Sequence, residues 1–425
     1  MTSSSLITQR NSNDSSVVAV KGKVVRRFEL WFPFTPGVIG VAEDELAAVH
    51  NRPFADVLAA ISESGGWQIE QCYFTDHSRS YAARAAVTNR FFPVSFRRHS
   101  SAKRGARQWS IKALAHVLFN PPKALAIFFA YGRFAKALAL VARIRRVPYF
   151  VIVGGWYNRI SKSQRAYFDR AFRVLVHTEM QKQELVRAGY REDNIEIFPL
   201  GLDNSSFTSK TTEQYGWIDN GPRLLFVGRL QSSKGPMEAL MTFEAVRQSF
   251  PNGTLQIVGP CNDEEFRQRM IAYVDSHGLN NAVDFVGPIA YEELPRFYQE
   301  ADLFLFPSPY EGLPSVVLES MACGTAPVVL RGSGGTEEAV IDGECGWVMD
   351  MPRLAYDVVE LLKSPMEIRR RGMNGARRAQ ECYSSQRTYD ILAGLLAEIG
   401  PRDQKSEVRD QRQDVARQKA LRAKS

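Results

Sequence analysis

The stretch that decides the fold is residues 301–329, which read ADLFLFPSPYEGLPSVVLESMACGTAPVV. Residues 301–306 form the continuous apolar run that is typical of a buried strand, and a proline follows them. A helix is predicted to begin near Pro314, because the fixed φ angle of proline suits the first helical position. Gly324 is expected to end that helix as its C-terminal cap, and a second apolar run follows. This order predicts an α/β unit with parallel strands.

The same alternation of apolar runs and helical periods extends in both directions through the 425 residues. A polar, turn-rich stretch at residues 202–220 separates two series, and a chain of this length exceeds what one hydrophobic core usually supports. We therefore predict two Rossmann-like, doubly wound α/β domains that face each other across a cleft. Strands are predicted at residues 24–32, 67–74, 124–129, 149–153, 173–176 and 194–198, and then at residues 223–227, 255–258, 283–286, 302–306 and 326–330.

The predicted domain boundaries follow from composition and from this alternation. The N-terminal domain is assigned to residues 21–203 and the C-terminal domain to residues 204–380, with a further helix within residues 381–400. The Ser- and Asn-rich residues 1–20 and the charged residues 401–425 contain few apolar side chains, so both are expected to be disordered.

Cysteine usage and apolar content narrow the class of protein. The five cysteines are scattered without a CxxC pair or a Cys/His cluster, which disfavours both a disulfide framework and a zinc site. The apolar core of a secretory signal is missing from residues 1–20, and the most apolar stretch, residues 113–144, is interrupted by prolines and cations. We expect a cytoplasmic protein without a membrane-spanning helix, in a compartment that keeps thiols reduced.

Charge is unevenly distributed along the chain. Residues 77–168 contain no Asp or Glu but 18 Lys and Arg, although the net charge of the whole chain is only +8. Such a segment favours anionic partners: lipid headgroups, phosphates on a substrate, or nucleic acid. Phenylalanines stand among the cations of residues 89–107, which favours peripheral attachment to the inner face of an anionic membrane. No nucleic acid is expected, because no binding motif accompanies the charge, and a solvated basic face is the alternative interpretation.

The predicted helix start near Pro314 carries residue types that suit an activated sugar. Its free N–H groups and positive dipole end make a natural seat for a phosphate. Glu311 precedes this helix, and Glu319 lies about one and a half turns inside it. Carboxylates accept hydrogen bonds from vicinal hydroxyls in pairs, so one would face a sugar and the other a ribose when a pyrophosphate occupies the helix end.

A second segment follows the predicted strand at residues 223–227. Gly228 permits close approach of a ligand to the backbone, and Arg229 and Lys234 can reach one anion from a single loop. Two cations on a leaving diphosphate stabilise the negative charge that builds as the glycosidic bond breaks. The same pair can replace a divalent ion, and the chain has no Asp-x-Asp triplet, so no metal ion is expected.

These residues together resemble glycosyltransferase family 4. The family pattern of Glu, seven residues and Glu is met by Glu311 and Glu319, and its pattern of Arg, four residues and Lys by Arg229 and Lys234. The resemblance is close over residues 223–348 and weaker over the N-terminal series. It implies the GT-B fold, a GDP- or UDP-linked sugar donor, retention of the anomeric configuration and no cofactor beyond that co-substrate. It also implies that the last helix packs back on the N-terminal domain.

The same resemblance implies a role for each site residue. Arg229 and Lys234 bind the diphosphate and are predicted to be catalytic. Glu311 is the third predicted catalytic residue and lies at the donor sugar, whereas Glu319 binds the ribose. Further donor-binding residues are predicted around these four: Gly228, Gly312, Leu313, Pro314 and Gly37 near the sugar and phosphates, and Val286, Pro288 and Ile289 near the base.

One segment of the N-terminal series departs from the family pattern at a functional position. A His commonly follows the strand that corresponds to residues 149–153, but here residues 154–157 read GGWY. The role of that His is absent or falls to Asn158, Tyr157 or a backbone carbonyl. His177 follows a later strand and is interpreted as a structural residue.

We therefore predict a retaining glycosyltransferase that moves a hexose from an NDP-sugar to a glycan or lipid-linked acceptor, in bacterial exopolysaccharide or lipopolysaccharide-type synthesis. Two alternatives stay open: a nucleotide-sugar epimerase of the same architecture, and a non-catalytic NDP-sugar-binding protein. An epimerase would consume the donor without any acceptor, and a binding protein would be stabilised by an NDP without turnover. A dehydrogenase is disfavoured, because no GxGxxG fingerprint follows an early strand.

Overall fold

The computed structural model describes residues 26–36, 52–64, 66–75, 79–84, 87–95, 108–128, 132–154, 162–199, 201–203, 205–211 and 221–399. Gly37, residues 155–158 and both termini that the sequence predicts to be disordered lie outside the described residues. The described residues form two α/β domains, each built on a mainly parallel sheet that is flanked by helices.

The N-terminal domain contains an eight-stranded sheet. Its strands are β1 (Arg26–Phe32), β2 (Trp67–Thr75), β3 (Arg79–Arg84), β4 (Val87–Pro93), β5 (Ala124–Phe128), β6 (Tyr149–Ile152), β7 (Arg173–Val176) and β8 (Ile195–Ile197). They lie in the order β3-β4-β2-β1-β5-β6-β7-β8, with β3 and β4 antiparallel and the other described neighbours parallel. Every residue of the central strand β5 is buried, as expected for a parallel strand covered on both faces.

Helices lie on both faces of this sheet. They are α1 (Arg52–Glu63), α2 (Ile111–Phe119), α3 (Gly132–Ile144), α4 (Lys162–Phe168) and α5 (Glu179–Arg187). Helices α2 to α5 contribute to one apolar cluster together with Trp31, whereas α1 contributes to a second cluster with Phe28. Because successive residues of a strand face opposite sides of a sheet, these two clusters are the two faces.

Strands β3 and β4 are absent from the sequence-based prediction. Polar residues, Asn89 and Arg90, interrupt the apolar pattern of β4. The Arg90 guanidinium is accommodated because it donates two hydrogen bonds of 2.9 Å to the buried carboxylate of Glu70 on the neighbouring strand β2. A local sequence pattern does not show that Glu70 of another strand pairs with Arg90, and this explains why β4 is not predicted.

The C-terminal domain contains a six-stranded parallel sheet. Its strands are β9 (Arg223–Val227), β10 (Thr254–Val258), β11 (Val283–Gly287), β12 (Leu303–Phe306), β13 (Ala326–Leu330) and β14 (Trp347–Met349), in the order β11-β10-β9-β12-β13-β14. Its helices are α6 (Pro236–Ser249), α7 (Glu264–Ser276), α8 (Leu294–Glu300), α9 (Ser315–Ala322), α10 (Gly335–Ala339), α11 (Leu354–Leu362) and α12 (Pro365–Tyr383). Among the described helices of the chain, none combines the length and apolar character that a bilayer crossing requires.

The stretch at residues 301–329 folds into β12, a turn, α9 and β13. Pro314 is the N-cap of α9, with φ −78° and ψ 124°. Gly324 follows the helix with φ 77°, in the left-handed region that favours glycine. The prediction of two doubly wound α/β domains is confirmed by this unit and by the parallel sheets around it.

The chain passes between the domains at two adjacent places. The N–H of Leu202 donates to the carbonyl of Tyr383 at 2.7 Å, and the N–H of Ser385 donates to the carbonyl of Leu202 at 2.9 Å. The last described helix, α13 (Ser385–Ile399), packs on α1. Its Leu392 and Leu396 are buried in the apolar cluster of the N-terminal domain, so this helix completes the core of that domain.

Candidate functional site

Two loops of the C-terminal domain meet at the carboxyl ends of the neighbouring strands β9 and β12. The loop after β9 holds Arg229 and Lys234, and the loop after β12 holds Glu311. Gly235, with φ 78°, lies so close to the second loop that a Cβ would be 2.3 Å from the carbonyl oxygen of Pro307. The fold therefore brings the two predicted segments into contact, with glycine required at the point of closest approach.

The central contact of the site is an ion pair between Lys234 Nζ and Glu311 Oε1. The hydroxyl of Ser308 donates to the same carboxylate oxygen at 2.8 Å. Both charged side chains are mostly buried, with 20% of Lys234 and 13% of Glu311 exposed. Two of the predicted catalytic residues thus touch each other, and Ser308 is a partner that the sequence analysis missed.

Arg229, the third predicted catalytic residue, is exposed at the same edge of the sheet. The preceding Gly228 packs tightly against Gly259. A Cβ atom added to Gly259 would lie 2.0 Å from the carbonyl oxygen of Gly228. On the other side, the N–H of Leu230 donates to the carbonyl of Pro260 at 2.9 Å. The backbone of Arg229 is therefore held in place while its guanidinium is accessible to an anion.

Glu319, the predicted ribose ligand, is a buried residue of α9 with 2% of its surface exposed. The hydroxyl of Tyr298 donates to its Oε2 at 2.9 Å. Burial raises the pKa of the Glu319 carboxyl to about 7, although hydrogen bonds from Tyr298 and Ser315 oppose that shift. Ser315 is exposed, so it is the partner on the solvent side. The carboxyl can change its protonation state near neutral pH.

The predicted base-binding loop adjoins the same sheet edge. Val286 and Ile289 are half-buried against the apolar core of the domain, whereas Pro288 is exposed. Between them, the carbonyl of Gly287 accepts a hydrogen bond of 2.9 Å from the N–H of Gly259. Since Gly259 also contacts the loop after β9, all three predicted donor segments of the C-terminal domain lie side by side.

The predicted sugar-binding segment lies where the two domains touch. A Cβ on Gly312 would be 2.6 Å from the carbonyl oxygen of Gly154 in the N-terminal domain. Leu313 and Pro314 follow Gly312 and lead into α9. Gly154 therefore stands directly opposite the predicted sugar site, and residues 155–157, which follow it, lie outside the described residues.

Glu338 of α10 is a candidate that the sequence analysis did not assign to the site. Its carboxylate accepts hydrogen bonds from the backbone N–H groups of Glu179 at 2.7 Å and Met180 at 2.8 Å. Those N–H groups form the start of α5 in the other domain, where a negative charge is favoured. Glu337 and Glu338 are adjacent, and the sequence alone does not indicate which of the two carboxylates contacts the other domain. That choice depends on the tertiary fold.

His177 is buried at the start of the same helix, with 3% of its surface exposed. Its Nδ1–H donates to the carbonyl of Phe198 at 2.9 Å, and its backbone N–H donates to the side chain of Gln181 at 2.7 Å. Burial lowers the pKa of the His177 ring, so the ring is neutral at pH 7. These contacts support the structural interpretation of this residue.

One group of described residues has the geometry of a metal site: Glu29, Glu70 and His116, whose ligand atoms lie within 4.8 Å of one another. Both carboxylates already have cationic partners, because Arg27 pairs with Glu29 and Arg90 pairs with Glu70. The glutamates are buried in the middle of the N-terminal sheet, and ion pairing accounts for their position without a metal ion.

Comparison with known sequences finds a family match in the C-terminal half of the chain. Residues 208–379 match the family model described as glycosyl transferases group 1. A D-inositol 3-phosphate glycosyltransferase of Pseudarthrobacter chlorophenolicus is 34% identical over 43% of this chain and 44% of the relative. A GDP-mannose-dependent alpha-(1-6)-phosphatidylinositol monomannoside mannosyltransferase of Mycolicibacterium smegmatis is 32% identical over 48% of this chain and 56% of the relative. The chain thus spans about half the length of these curated relatives.

Comparison with solved structures extends over most of the chain. Sucrose-phosphate synthase from Thermosynechococcus elongatus is similar with a TM-score of 0.69 and 17% identity, over 88% of this chain and 99% of that chain. Anabaena HepE in complex with UDP-glucose is similar with a TM-score of 0.65 and 16% identity, over 88% of this chain and 100% of that chain. Likeness at such low identity establishes the fold alone, and the predicted GT-B fold is thereby confirmed.

Proposed function

Since residues 208–379 form a group 1 glycosyltransferase domain within a GT-B fold, we propose that the whole chain is a retaining glycosyltransferase. It moves a hexose from a GDP- or UDP-linked donor to a glycan or lipid-linked acceptor. The observation that carries this proposal is the Lys234–Glu311 ion pair, which lies at the sheet edge beside the start of α9.

The geometry suits the departure of a diphosphate. The N-terminus of α9, the Lys234 ammonium and the accessible Arg229 guanidinium offer positive charge to one anion. A diphosphate that enters this place replaces Glu311 as the counter-ion of Lys234. The Glu311 carboxylate is then free to accept hydrogen bonds from hydroxyls of the donor sugar. Binding of the leaving group and orientation of the sugar thus become one event.

Two relatives support the class of donor. Anabaena HepE, which shares the fold, has been seen with UDP-glucose, and the Mycolicibacterium smegmatis relative is named as GDP-mannose-dependent. We expect transfer without a divalent ion, because Arg229 and Lys234 supply the charge that a metal would otherwise provide. Full activity after treatment with a chelator is the expected result, and loss of activity that Mn²⁺ restores would contradict it.

The acceptor is a glycan or a lipid-linked saccharide of bacterial polysaccharide synthesis. Two names among the curated relatives support this class, glycogen synthase and a phosphatidylinositol monomannoside mannosyltransferase, whereas other relatives are named for D-inositol 3-phosphate. We assign the acceptor to the N-terminal domain, because all the predicted donor-binding residues except Gly37 belong to the C-terminal domain.

Donor screening followed by a turnover assay tests the proposed function. Thermal unfolding is first measured with GDP-, UDP- and ADP-sugars, and one of them is expected to raise the midpoint. Release of the NDP is then measured with and without saccharide acceptors, and transfer is expected only with an acceptor. The Lys234→Met variant serves to show that both effects arise at the proposed site.

Two outcomes would favour the alternatives. Conversion of the donor sugar into an epimer without an acceptor would indicate a nucleotide-sugar epimerase. Thermal stabilisation by an NDP-sugar without release of the NDP, across all acceptors, would indicate a binding protein.

A further inference from the structure

Helices α2 and α3 lie side by side on the outside of the N-terminal domain. Their inward residues, Ala113 and Val117 on α2 and Phe134 and Leu138 on α3, are buried in one apolar cluster on a single face of the sheet. The opposite sides of both helices therefore point away from the sheet in the same general direction. We call the exposed residues of these outward sides the α2–α3 surface.

The α2–α3 surface exposes an unusual amount of apolar area. Four large apolar side chains on it are highly exposed: Ile111 (59%), Phe119 (81%), Leu140 (52%) and Ile144 (64%). On α3, Arg133, Leu140 and Ile144 are spaced by seven and four residues, so they lie along one side of the helix. Apolar residues so placed contribute nothing to the core and are typical of an interaction surface.

The charge of the same surface has a single sign. Exposed cations lie on the two helices (Lys112, Arg133 and Arg143) or follow their ends in the chain (Lys123, Arg145 and Arg146). No Asp or Glu occurs between positions 77 and 168, so no acidic residue of this segment neutralises them. A protein partner would need an acidic patch interleaved with apolar pockets, whereas an anionic bilayer offers negative headgroups above an apolar interior everywhere on its plane.

We propose that the α2–α3 surface docks on an anionic lipid bilayer, with the cations at the headgroups and the exposed apolar side chains inserted between them. The surface is formed by the N-terminal domain, whereas all the predicted donor-binding residues except Gly37 belong to the C-terminal domain. The α2–α3 surface extends from the carboxyl edge of the sheet, where Ile111 and Arg133 begin their helices, to the amino edge, where Phe119 and Ile144 end them. A docked chain would therefore lie with this outer face of its N-terminal domain along the membrane.

Sedimentation of the full chain with lipid vesicles tests this docking. Vesicles with about a third phosphatidylglycerol in phosphatidylcholine are compared with pure phosphatidylcholine, at about 0.05 M and about 0.5 M salt. We expect binding to the anionic vesicles at low salt, much weaker binding at high salt, and little binding to pure phosphatidylcholine. No binding to anionic vesicles at low salt, or equal binding to both lipids, would overturn the proposal.

Two double variants separate the apolar and the charged contributions. Leu140→Ser with Ile144→Ser and Arg133→Gln with Arg143→Gln are each expected to weaken vesicle binding at least about tenfold. The matched control is Met366→Ser with Met373→Ser on α12, because those residues are also exposed (73% and 51%) but belong to the other domain. An equal loss in the control would refute the assignment of the surface.

Two further measurements keep the outcome unambiguous. Thermal stabilisation by the NDP-sugar in the absence of vesicles is expected to be the same in all variants, so failure of the donor proposal would leave the docking result intact. Light scattering reports self-association: a wild-type oligomer that the Leu140/Ile144 variant dissociates would show a second copy as the occupant and would overturn membrane docking.

Discussion

Glu29 in the N-terminal domain and Glu311 in the C-terminal domain are both ion-paired, but they differ in the number of hydrogen-bond partners that the protein provides. Glu29 in the N-terminal domain is fully buried and accepts from Arg27 at 2.9 Å and Trp31 at 3.0 Å, with His116 at 2.8 Å. Glu311 in the C-terminal domain contacts Lys234 and Ser308, and part of its side chain is exposed. The first carboxylate is saturated by the protein, whereas the second keeps room for a ligand.

This difference separates structural from functional charge. A saturated buried carboxylate cannot exchange partners without leaving several polar groups unpaired, so it stabilises one arrangement of strands and helix. A carboxylate with one ammonium and one hydroxyl as partners keeps the capacity to accept further hydrogen bonds from a ligand. Ion pairing alone therefore does not identify a site, and the number of remaining partners is the useful criterion.

The largest expected effect is the loss of stability on breaking the saturated cluster. Glu29→Ala leaves Arg27, Trp31 and His116 without their acceptor, and it is expected to lower the free energy of unfolding by about 3–5 kcal/mol. Chemical denaturation of the purified variant measures this loss. Glu29→Gln preserves the volume and serves as the matched control, with a smaller loss. A loss below about 1 kcal/mol in Glu29→Ala would show that the cluster is not structural.

Glu319 is an intermediate case, since it is buried like Glu29 but its hydrogen bonds come from neutral hydroxyls. Its pKa is about 7 in the folded chain against an ordinary value of 4.5, so folding favours the protonated form. Stability from this group is complete below pH 4.5 and is lost as the pH rises through about 7, to a total of about 3 kcal/mol. Glu319→Gln removes this dependence.

Measuring the unfolding free energy of wild type and Glu319→Gln at acid and alkaline pH checks that sign. The variant is expected to equal the wild type near pH 4.5 and to exceed it by about 3 kcal/mol near pH 8. Donor binding to the variant is expected to be weaker than in the wild type near pH 8, where the wild type offers the ribose a carboxylate, and the difference is expected to shrink near pH 4.5, where Glu319 is protonated. A difference in stability that does not change with pH would contradict the raised pKa.

Glu311→Gln tests the functional cluster. We expect turnover to fall on the order of 100-fold, whereas the free energy of unfolding falls by less than in Glu29→Ala, because Gln keeps a carbonyl oxygen that can accept from Lys234. Affinity for the free NDP is expected to rise, because Lys234 no longer has an anionic partner within the protein. Glu300→Gln, which breaks an exposed pair with Arg296 in the same domain, is the control. A parallel fall of NDP affinity and turnover would refute the exchange of partners at Lys234.

The smallest expected effect concerns the contact between the domains. Glu338→Ala removes the carboxylate that caps α5, and transfer is expected to fall about fivefold, which corresponds to about 1 kcal/mol. Steady-state kinetics with the donor saturating detect this change. Glu337→Ala is the matched control on the same helix, because its carboxylate accepts from Gly332 at 2.7 Å within one domain. Equal kinetics in both variants would remove Glu338 from the site.

The sequence predicts the C-terminal domain better than the N-terminal one, for a physical reason. Strands β9, β12 and β13 contain continuous apolar runs, and Gln256 and Asp284 are the single interruptions of the predicted runs in β10 and β11, so these patterns are local. The short strand β14 is absent from the prediction, and β4 is obscured by Arg90, whose burial depends on Glu70 of another strand. Local patterns do not contain such pairings.

The same distinction holds for the site. The strand–turn–helix context and the family resemblance select Lys234 and Glu311, and the structure places them in contact. Ser308 and Glu338 contact the site through distances set by the fold, so no spacing rule selects them. The roles of the predicted donor residues, including Gly37 outside the described residues, stay predictions.

The paired chain crossings at Leu202 and Ser385 constrain how the cleft can open. Two covalent links that hydrogen-bond to each other act as one narrow joint, so the domains are expected to rotate about a single axis through it. Such a rotation separates Gly312 from Gly154 and breaks the Glu338 contacts, while both sheets keep their internal packing. Entry of an acceptor would then require rotation about this joint alone. Closing would restore the contact between Gly312 and Gly154 and the hydrogen bonds of Glu338.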